Sequence, residues 1–155
     1  MRVFTNVLAV CLVLGGAAGP LSAATSELIV SDRNTGLAIY GFDPVAFFVD
    51  RAARKGSAAF ELDRGGIVWR FCNEGNRAAF QANPEIYTPR FGGYDPLAIA
   101  RGSPAPGLPE FFVVQDNRLF LFSNEASRAR FLKAPMEAIT AAETAWPKVL
   151  RGLVH

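Results

Sequence analysis

The sequence predicts an α+β domain built on antiparallel β-hairpins, and three observations lead to that prediction. Two hairpin patterns occur, each is followed by a helix start with an asparagine at the cap, and an amphipathic helix pattern closes the chain. A lone hairpin is only marginally stable in water. We therefore expect the two hairpins to lie side by side in one antiparallel sheet, with helices on one face and a further C-terminal helix.

The first 24 residues have the three parts of a secretory signal peptide. Arg2 precedes an uncharged, mainly apolar run over 7–18, and small residues follow at 22–24. The run is shorter than the roughly 20 residues of a membrane span. We expect cleavage after Ala23 or Ala24, a periplasmic or secreted location, and no membrane span after cleavage. The alternative is a buried N-terminal helix.

Cleavage after Ala24 leaves 155 − 24 = 131 residues, which is about one domain, and removes Arg2, so that the net charge falls from +2 to +1. We expect a flexible or lightly packed lead-in over 25–38, one domain over 39–150 and a tail over 151–155. Acidic and basic residues are interspersed, which argues against nucleic-acid partners. One cysteine, Cys72, remains after cleavage, so the domain has no internal disulfide.

An internal repeat organises the domain. Residues 71–84 and 122–135 are identical at seven of fourteen positions at an offset of 51. The same order of elements precedes both segments, which predicts pseudo-repeats over about 41–90 and 93–140. The alternative is a coincidence between two helix starts of similar chemistry.

Each predicted half begins with an Asp-Pro pair. Asp43 and Asp95 are suited to cap short helices, each with proline at the first helical position. A hairpin follows, with its turn at 63–66 in the first half and at 116–117 in the second.

The next element of each half is a helix. Asn73 and Asn124 are suited to cap these helices, and Pro84 and Pro135 end them or start the next turn. The last pattern, over 136–150, has apolar residues at helical spacing and predicts the C-terminal helix.

Several motifs in order resemble the YHS-domain family, in particular its exported bacterial branch. They lie at 41–48, 71–87, 87–94 and 145–147, and the resemblance covers about 39–150. Metal-associated members of the wider family carry three cysteines, which the resemblance places at Ala46, Cys72 and Asn76. In the exported branch a cysteine commonly occupies the position of Asp95. The resemblance therefore implies a domain whose metal ligands are largely replaced here.

Cys72 is the candidate metal ligand. A thiolate binds soft ions such as copper, and the nearby helix start would lower the pKa of the thiol. The alternative is a small buried core residue, for which Cys72→Ser would cost roughly 1–3 kcal/mol. Tyr40, Asp43, Tyr94 and Asp95 are candidate pocket residues, with helix capping and aromatic core as the alternatives.

Catalysis has little support in the sequence. His155 is the single histidine and the last residue, which argues against Ser-His-Asp and Cys-His chemistry. The expectation is an exported, non-enzymatic YHS-like binding domain, linked through the resemblance to metal or redox homeostasis and to a weakly bound soft metal ion. The alternative is a structural or protein-interaction module with a decayed metal site.

Overall fold

The computed structural model describes residues 28–154 of the chain. The predicted signal peptide over 1–24 and His155 lie outside the described residues. No helix within 28–154 is both long enough and apolar enough to cross a membrane.

The described residues form a mixed α+β fold, which confirms the predicted class. Two short 3-10 segments, Ile39–Gly41 and Arg90–Gly93, accompany six helices and four strands. The helices are α1 (Ala46–Val49), α2 (Glu74–Ala82), α3 (Pro84–Tyr87), α4 (Pro96–Ala100), α5 (Glu125–Lys133) and α6 (Pro135–Leu153). The strands are β1 (Ser57–Arg64), β2 (Ile67–Phe71), β3 (Leu108–Gln115) and β4 (Arg118–Phe122).

Both predicted hairpins form, with two-residue turns. Asp116 and Asn117 have φ of 49° and 55°, and Gly65 and Gly66 have φ of 69° and 75°. Two consecutive left-handed residues match the right-handed twist of the paired strands. These turn residues therefore specify the hairpin register locally.

The expectation of one sheet is wrong: β1 pairs with β2 and β3 with β4, in two separate two-stranded sheets. The edge of β2 that does not pair with β1 contacts the segment before the first 3-10 turn, where Ala38 N–H donates to Val68 O at 2.9 Å. The hairpins meet instead through side chains. Leu119 and Leu121 of β4 join the apolar cluster that contains Trp69.

β4 is buried on both faces and therefore links two apolar clusters. Its leucines belong to the cluster around Trp69, whereas Phe120 and Phe122 belong to a second cluster with Phe131 and α6. Burial on both faces does not fit helices on a single face of a sheet. Strand β4 instead lies at the centre of the domain.

The segment expected to be a flexible or lightly packed lead-in has three buried residues in its described part, Val30, Leu37 and Ala38, whereas residues 33–36 are exposed. Val30 is buried, its N–H donates to Gly92 O, and its carbonyl accepts from Ile39 N–H, both at 2.8 Å. The expected tail also starts too early. Helix α6 continues to Leu153, which packs against the second cluster.

A left-handed turn precedes each Asp-Pro pair. The first consists of Ile39, Tyr40 and Gly41 with φ of 40°, 57° and 74°, and the second of Phe91, Gly92 and Gly93 with φ of 54°, 64° and 90°. Such φ values are rare outside glycine and cost on the order of 1–3 kcal/mol each. Burial of Ile39 and Phe91 helps to hold these turns in place.

The two hairpin–helix segments follow one another at a constant spacing. β3 begins 108 − 57 = 51 residues after β1, and α5 begins 125 − 74 = 51 residues after α2. Gly56 and Gly107 have the same spacing. A Cβ atom at Gly56 would overlap the backbone of Arg70, and one at Gly107 would overlap Gly93 O.

Candidate functional site

Asp43 is the centre of the first polar network, which we call the Asp43 site. Its side chain is fully buried. The Oδ1 atom accepts from the N–H groups of Val45 (2.8 Å) and Ala46 (3.3 Å), so it fixes the turn that leads into α1, whose N-cap residue is Val45 and not Asp43 as predicted. The Oδ2 atom accepts from Cys72 N–H at 2.7 Å and from Asn76 Nδ2 at 2.6 Å. The carboxylate thus joins α1 to the junction of β2 and α2.

Asp95 is the centre of a second network, the Asp95 site, and is also buried. Its Oδ1 accepts from Leu97 N–H at 2.9 Å and from Ser127 Oγ at 2.8 Å. Its Oδ2 accepts from Ser123 N–H at 3.0 Å and from Ser123 Oγ at 2.7 Å. This carboxylate joins α4 to the junction of β4 and α5.

The helix starts at both junctions are capped as the sequence predicts. Asn73 Oδ1 accepts from Asn76 N–H, and Asn124 Oδ1 accepts from Ser127 N–H, both at 2.9 Å. Each cap fixes the first turn of the helix that follows. The first turns of α2 and α5 therefore hold Asn76 and Ser127 in position over the two aspartates.

Cys72 is half-buried at the junction of β2 and α2. Its thiol donates to Lys55 O at 3.5 Å. Burial first, and then the hydrogen bond to Asp43 and the negative charge of Asp43, raise the pKa of the Cys72 thiol to about 11. The expectation that the helix start would lower this pKa is wrong, because burial and a neighbouring carboxylate both disfavour the thiolate.

The three positions that the resemblance assigns to cysteines all contact Asp43. Ala46 and Cys72 donate through their backbone N–H groups, and Asn76 donates through its side-chain amide. Cys72 and Asn76 are 29 and 33 positions from Asp43 in the sequence, and the fold brings them to the carboxylate that Ala46 contacts locally. Only Cys72 carries a sulfur atom there.

The four candidate pocket residues do not behave as one group. Asp43 and Asp95 accept hydrogen bonds from separate sets of residues. Tyr94 is buried in the second apolar cluster, and Tyr40 packs against that cluster from its edge. Burial raises the pKa of Tyr40 above its ordinary value. The aromatic-core alternative fits both tyrosines.

Lys55 is a contributor that the sequence analysis missed. Its Nζ donates to Tyr40 O at 2.7 Å and lies 4.2 Å from the centre of the Phe42 ring, while its carbonyl accepts from the Cys72 thiol. The lysine thereby holds the loop before β1 against the first left-handed turn. A basic residue in a polar loop gives no sequence signal for such a role.

The described residues contain no group of three or more His, Cys, Asp or Glu side chains arranged to hold a metal ion. The Asp43 site itself places one protonated thiol beside one fully hydrogen-bonded carboxylate. Comparison of the chain with protein-family models, with curated proteins and with solved structures gives no match.

Proposed function

We propose that the chain is an exported, non-enzymatic YHS-like domain with a decayed metal site, which works as a structural or protein-interaction module rather than through a bound metal. The observation that carries the proposal is the use of Asp43 and Asp95 within the fold. Each carboxylate accepts four hydrogen bonds from the chain itself. A carboxylate offers about four lone-pair sites, so neither has acceptor capacity left for a metal or a substrate.

A decayed metal site is part of this proposal. Its support is the convergence of Ala46, Cys72 and Asn76 on Asp43, at the positions where the resemblance implies metal-associated cysteines. An ion bound here would have to displace the proton of a thiol whose pKa is about 11. One thiolate with oxygen neighbours is a poor ligand set for a soft ion such as copper.

An internal duplication is a further part of this proposal. The two hairpin–helix segments derive from it, as pseudo-repeats over about 41–90 and 93–140. The constant spacing of 51 between corresponding elements supports it. Superposition of residues 60–80 on 111–131 in an experimental structure is the test. Different secondary structure in the two segments would contradict the duplication.

Copper uptake tests the part of the proposal that concerns metal binding. Protein prepared without an affinity tag is titrated with Cu(I) in competition with a chromogenic chelator, beside Cys72→Ser. We expect the two proteins to be indistinguishable. Ser123→Cys, which adds a thiol at the corresponding position of the Asp95 site, is the matched control. Stoichiometric copper that resists the chelator and is lost in Cys72→Ser would overturn the proposal in favour of metal binding.

A further inference from the structure

A cleft of about 400 Å³ lies between the turn end of β1 and the segment from α3 to the second 3-10 segment. This volume is within the range of small-ligand pockets. None of the residues around the cleft takes part in the Asp43 or Asp95 sites. Its lining consists of Arg64, Pro84, Glu85, Thr88, Pro89, Arg90 and Phe91.

Two arginines supply positive charge to this cleft. Arg64 is exposed, and among residues 28–154 its side chain forms no ion pair or hydrogen bond. Arg90 is held in place, because its Nη2 contacts Glu143 Oε1 at 2.8 Å and its guanidinium lies 5.5 Å from the centre of the Phe91 ring. One guanidinium is thus fixed and the other is free to close on a ligand.

The charges that line the cleft select the class of ligand. Arg64 and Arg90 contribute +2 and Glu85 contributes −1; Glu143, which pairs with Arg90, also pairs with Arg118 at 3.6 Å, so 3 − 2 leaves +1. A carboxylate carries one negative charge, whereas a phosphate group carries about −1.5 to −2 and would meet stronger repulsion from Glu85. Guanidinium groups bind carboxylates through paired hydrogen bonds. The net charge therefore favours a monocarboxylate.

The other lining groups suit an apolar body next to that carboxylate. Pro84, Pro89 and Phe91 present carbon surface. The Thr88 hydroxyl forms no side-chain hydrogen bond within the described part of the chain and is available as a donor. Polar and apolar surface line the cleft in about equal parts and the cleft is wide open to solvent, so a ligand here needs both a charged and an apolar part.

We propose that this cleft binds a carboxylate attached to an apolar group, with Arg64 and Arg90 as its anion-binding residues. Such a carboxylate occurs on a small organic acid and at the C-terminus of a peptide. The inference goes beyond the proposed function and shares no residue with it. A metal bound at Cys72 would leave it intact, and failure of the cleft to bind would leave the proposed function intact.

NMR titration of the folded protein with phenylacetate tests the proposal, with neutral phenylacetamide as the matched probe. We expect saturable shifts at the backbone amides of Glu85, Thr88 and Phe91 with phenylacetate alone. Arg64→Gln and Arg90→Gln should each weaken binding about tenfold, which corresponds to one lost charged hydrogen-bonding partner. Glu85→Gln should strengthen binding, because it removes a like charge.

Arg128→Gln is the control, since Arg128 pairs with Glu125 on α5 in the way that Arg90 pairs with Glu143. It should leave the titration unchanged. If Arg90→Gln disturbs the fold, Arg64→Gln alone decides, because the Arg64 side chain forms no hydrogen bond or ion pair within residues 28–154.

Equal shifts from phenylacetate and phenylacetamide, or tighter binding of inorganic phosphate, would overturn the proposal. So would the absence of a saturable response at millimolar phenylacetate. A second pair of probes, N-acetyl-alanyl-phenylalanine and its C-terminal amide, identifies the source. Tighter binding of this peptide acid than of phenylacetate assigns the cleft to a peptide C-terminus, and weaker binding assigns it to a small acid.

Discussion

The Asp43 and Asp95 sites hold their carboxylates in the same way but surround them with different side chains. In both, the aspartate accepts the N–H of the second residue after it, at the start of a short helix, and the N–H of the residue that follows a hairpin. The side-chain donors are the Asn76 amide at Asp43, and two serine hydroxyls at Asp95. Two backbone donors are common to both sites, which indicates that the fold depends on them, whereas the third backbone donor at Asp43, Ala46 N–H, and the side-chain donors vary.

The hairpins differ in burial as well. In β2 the side chains alternate between buried and half-buried from Val68 to Phe71, whereas four consecutive residues of β4 are buried. Trp69 of β2 has a buried Nε1 without a hydrogen-bond partner, and Phe120 of β4 has no polar atom to satisfy.

The largest expected effect is the loss of either carboxylate. Asp43→Ala should lower the free energy of unfolding by about 3–5 kcal/mol, because three backbone N–H groups and an amide lose their acceptor. Asp95→Ala should cost less, about 2–4 kcal/mol, because serine hydroxyls can rotate to other acceptors. Urea unfolding measures both.

Asp63→Ala is the control for these variants, because Asp63 is exposed at the end of a strand and should change stability by about 0.5 kcal/mol or less. A larger loss for Asp95→Ala than for Asp43→Ala would show that the side-chain donors, and not the backbone donors, dominate the two sites.

Exchange of the core aromatics tests the difference in burial. Phe120→Trp should cost about 2–3 kcal/mol, because Phe120 is fully buried with the Phe131 ring centre 5.1 Å away. Trp69→Phe should change stability by only about 1 kcal/mol, since lost packing is offset by removal of the unpaired N–H. Thermal unfolding compares the pair. Equal losses would mean that the two positions are equally tightly packed.

Cys72→Ser and Ser123→Cys exchange sulfur and oxygen at the two strand–helix junctions, and they should lower the free energy of unfolding by unequal amounts. Ser123→Cys loses a 2.7 Å hydrogen bond to Asp95 and should cost about 1–2 kcal/mol. Cys72→Ser should cost less than about 1 kcal/mol, because the new hydroxyl can donate to Lys55 O as the thiol does. This cost is below the roughly 1–3 kcal/mol that the core alternative in the sequence analysis predicts for a buried hydroxyl without a hydrogen-bond partner. A loss above that of Ser123→Cys would contradict the comparison.

The smallest expected effect concerns alkaline pH. The pKa of Cys72 is raised from 9.0 to about 11 in the folded protein, so the unfolded chain loses its thiol proton first. The contribution of this thiol to stability is therefore fully present below pH 9 and is lost as pH rises towards 11. Cys72→Ser should remove this part of the pH dependence in urea unfolding.

Alkylation of the native protein by iodoacetamide gives an independent measurement of the same pKa. The rate at the peptide that contains Cys72 should keep rising beyond pH 9, where an ordinary thiol levels off. Mass spectrometry separates this peptide from the one that contains Cys11. A plateau near pH 8 would show that the Cys72 thiolate is favoured rather than disfavoured.

Sequence reasoning found the elements whose signals are local. Asn73 and Asn124 cap α2 and α5 through donors three residues away, and the Asp116–Asn117 turn is adjacent to both of its strands. It did not find the left-handed turns at Ile39 and Phe91. Isoleucine and phenylalanine rarely adopt positive φ, and burial in the surrounding fold is what helps to hold them there.

The candidate site likewise divides into features that the sequence predicted and features that only the folded structure shows. From the sequence, Asp43, Cys72 and Asp95 could be selected as polar residues at element boundaries, and the α+β class followed from hairpin and cap patterns. The sequence did not show that Asp43 accepts from Cys72 N–H, because these residues are 29 positions apart. Nor did it show the two separate sheets, the burial of both faces of β4, or the raised pKa of the thiol. Caps and turns depend on neighbours within a few residues, whereas pairing of sheets, burial and thiol ionisation depend on groups that only folding brings together.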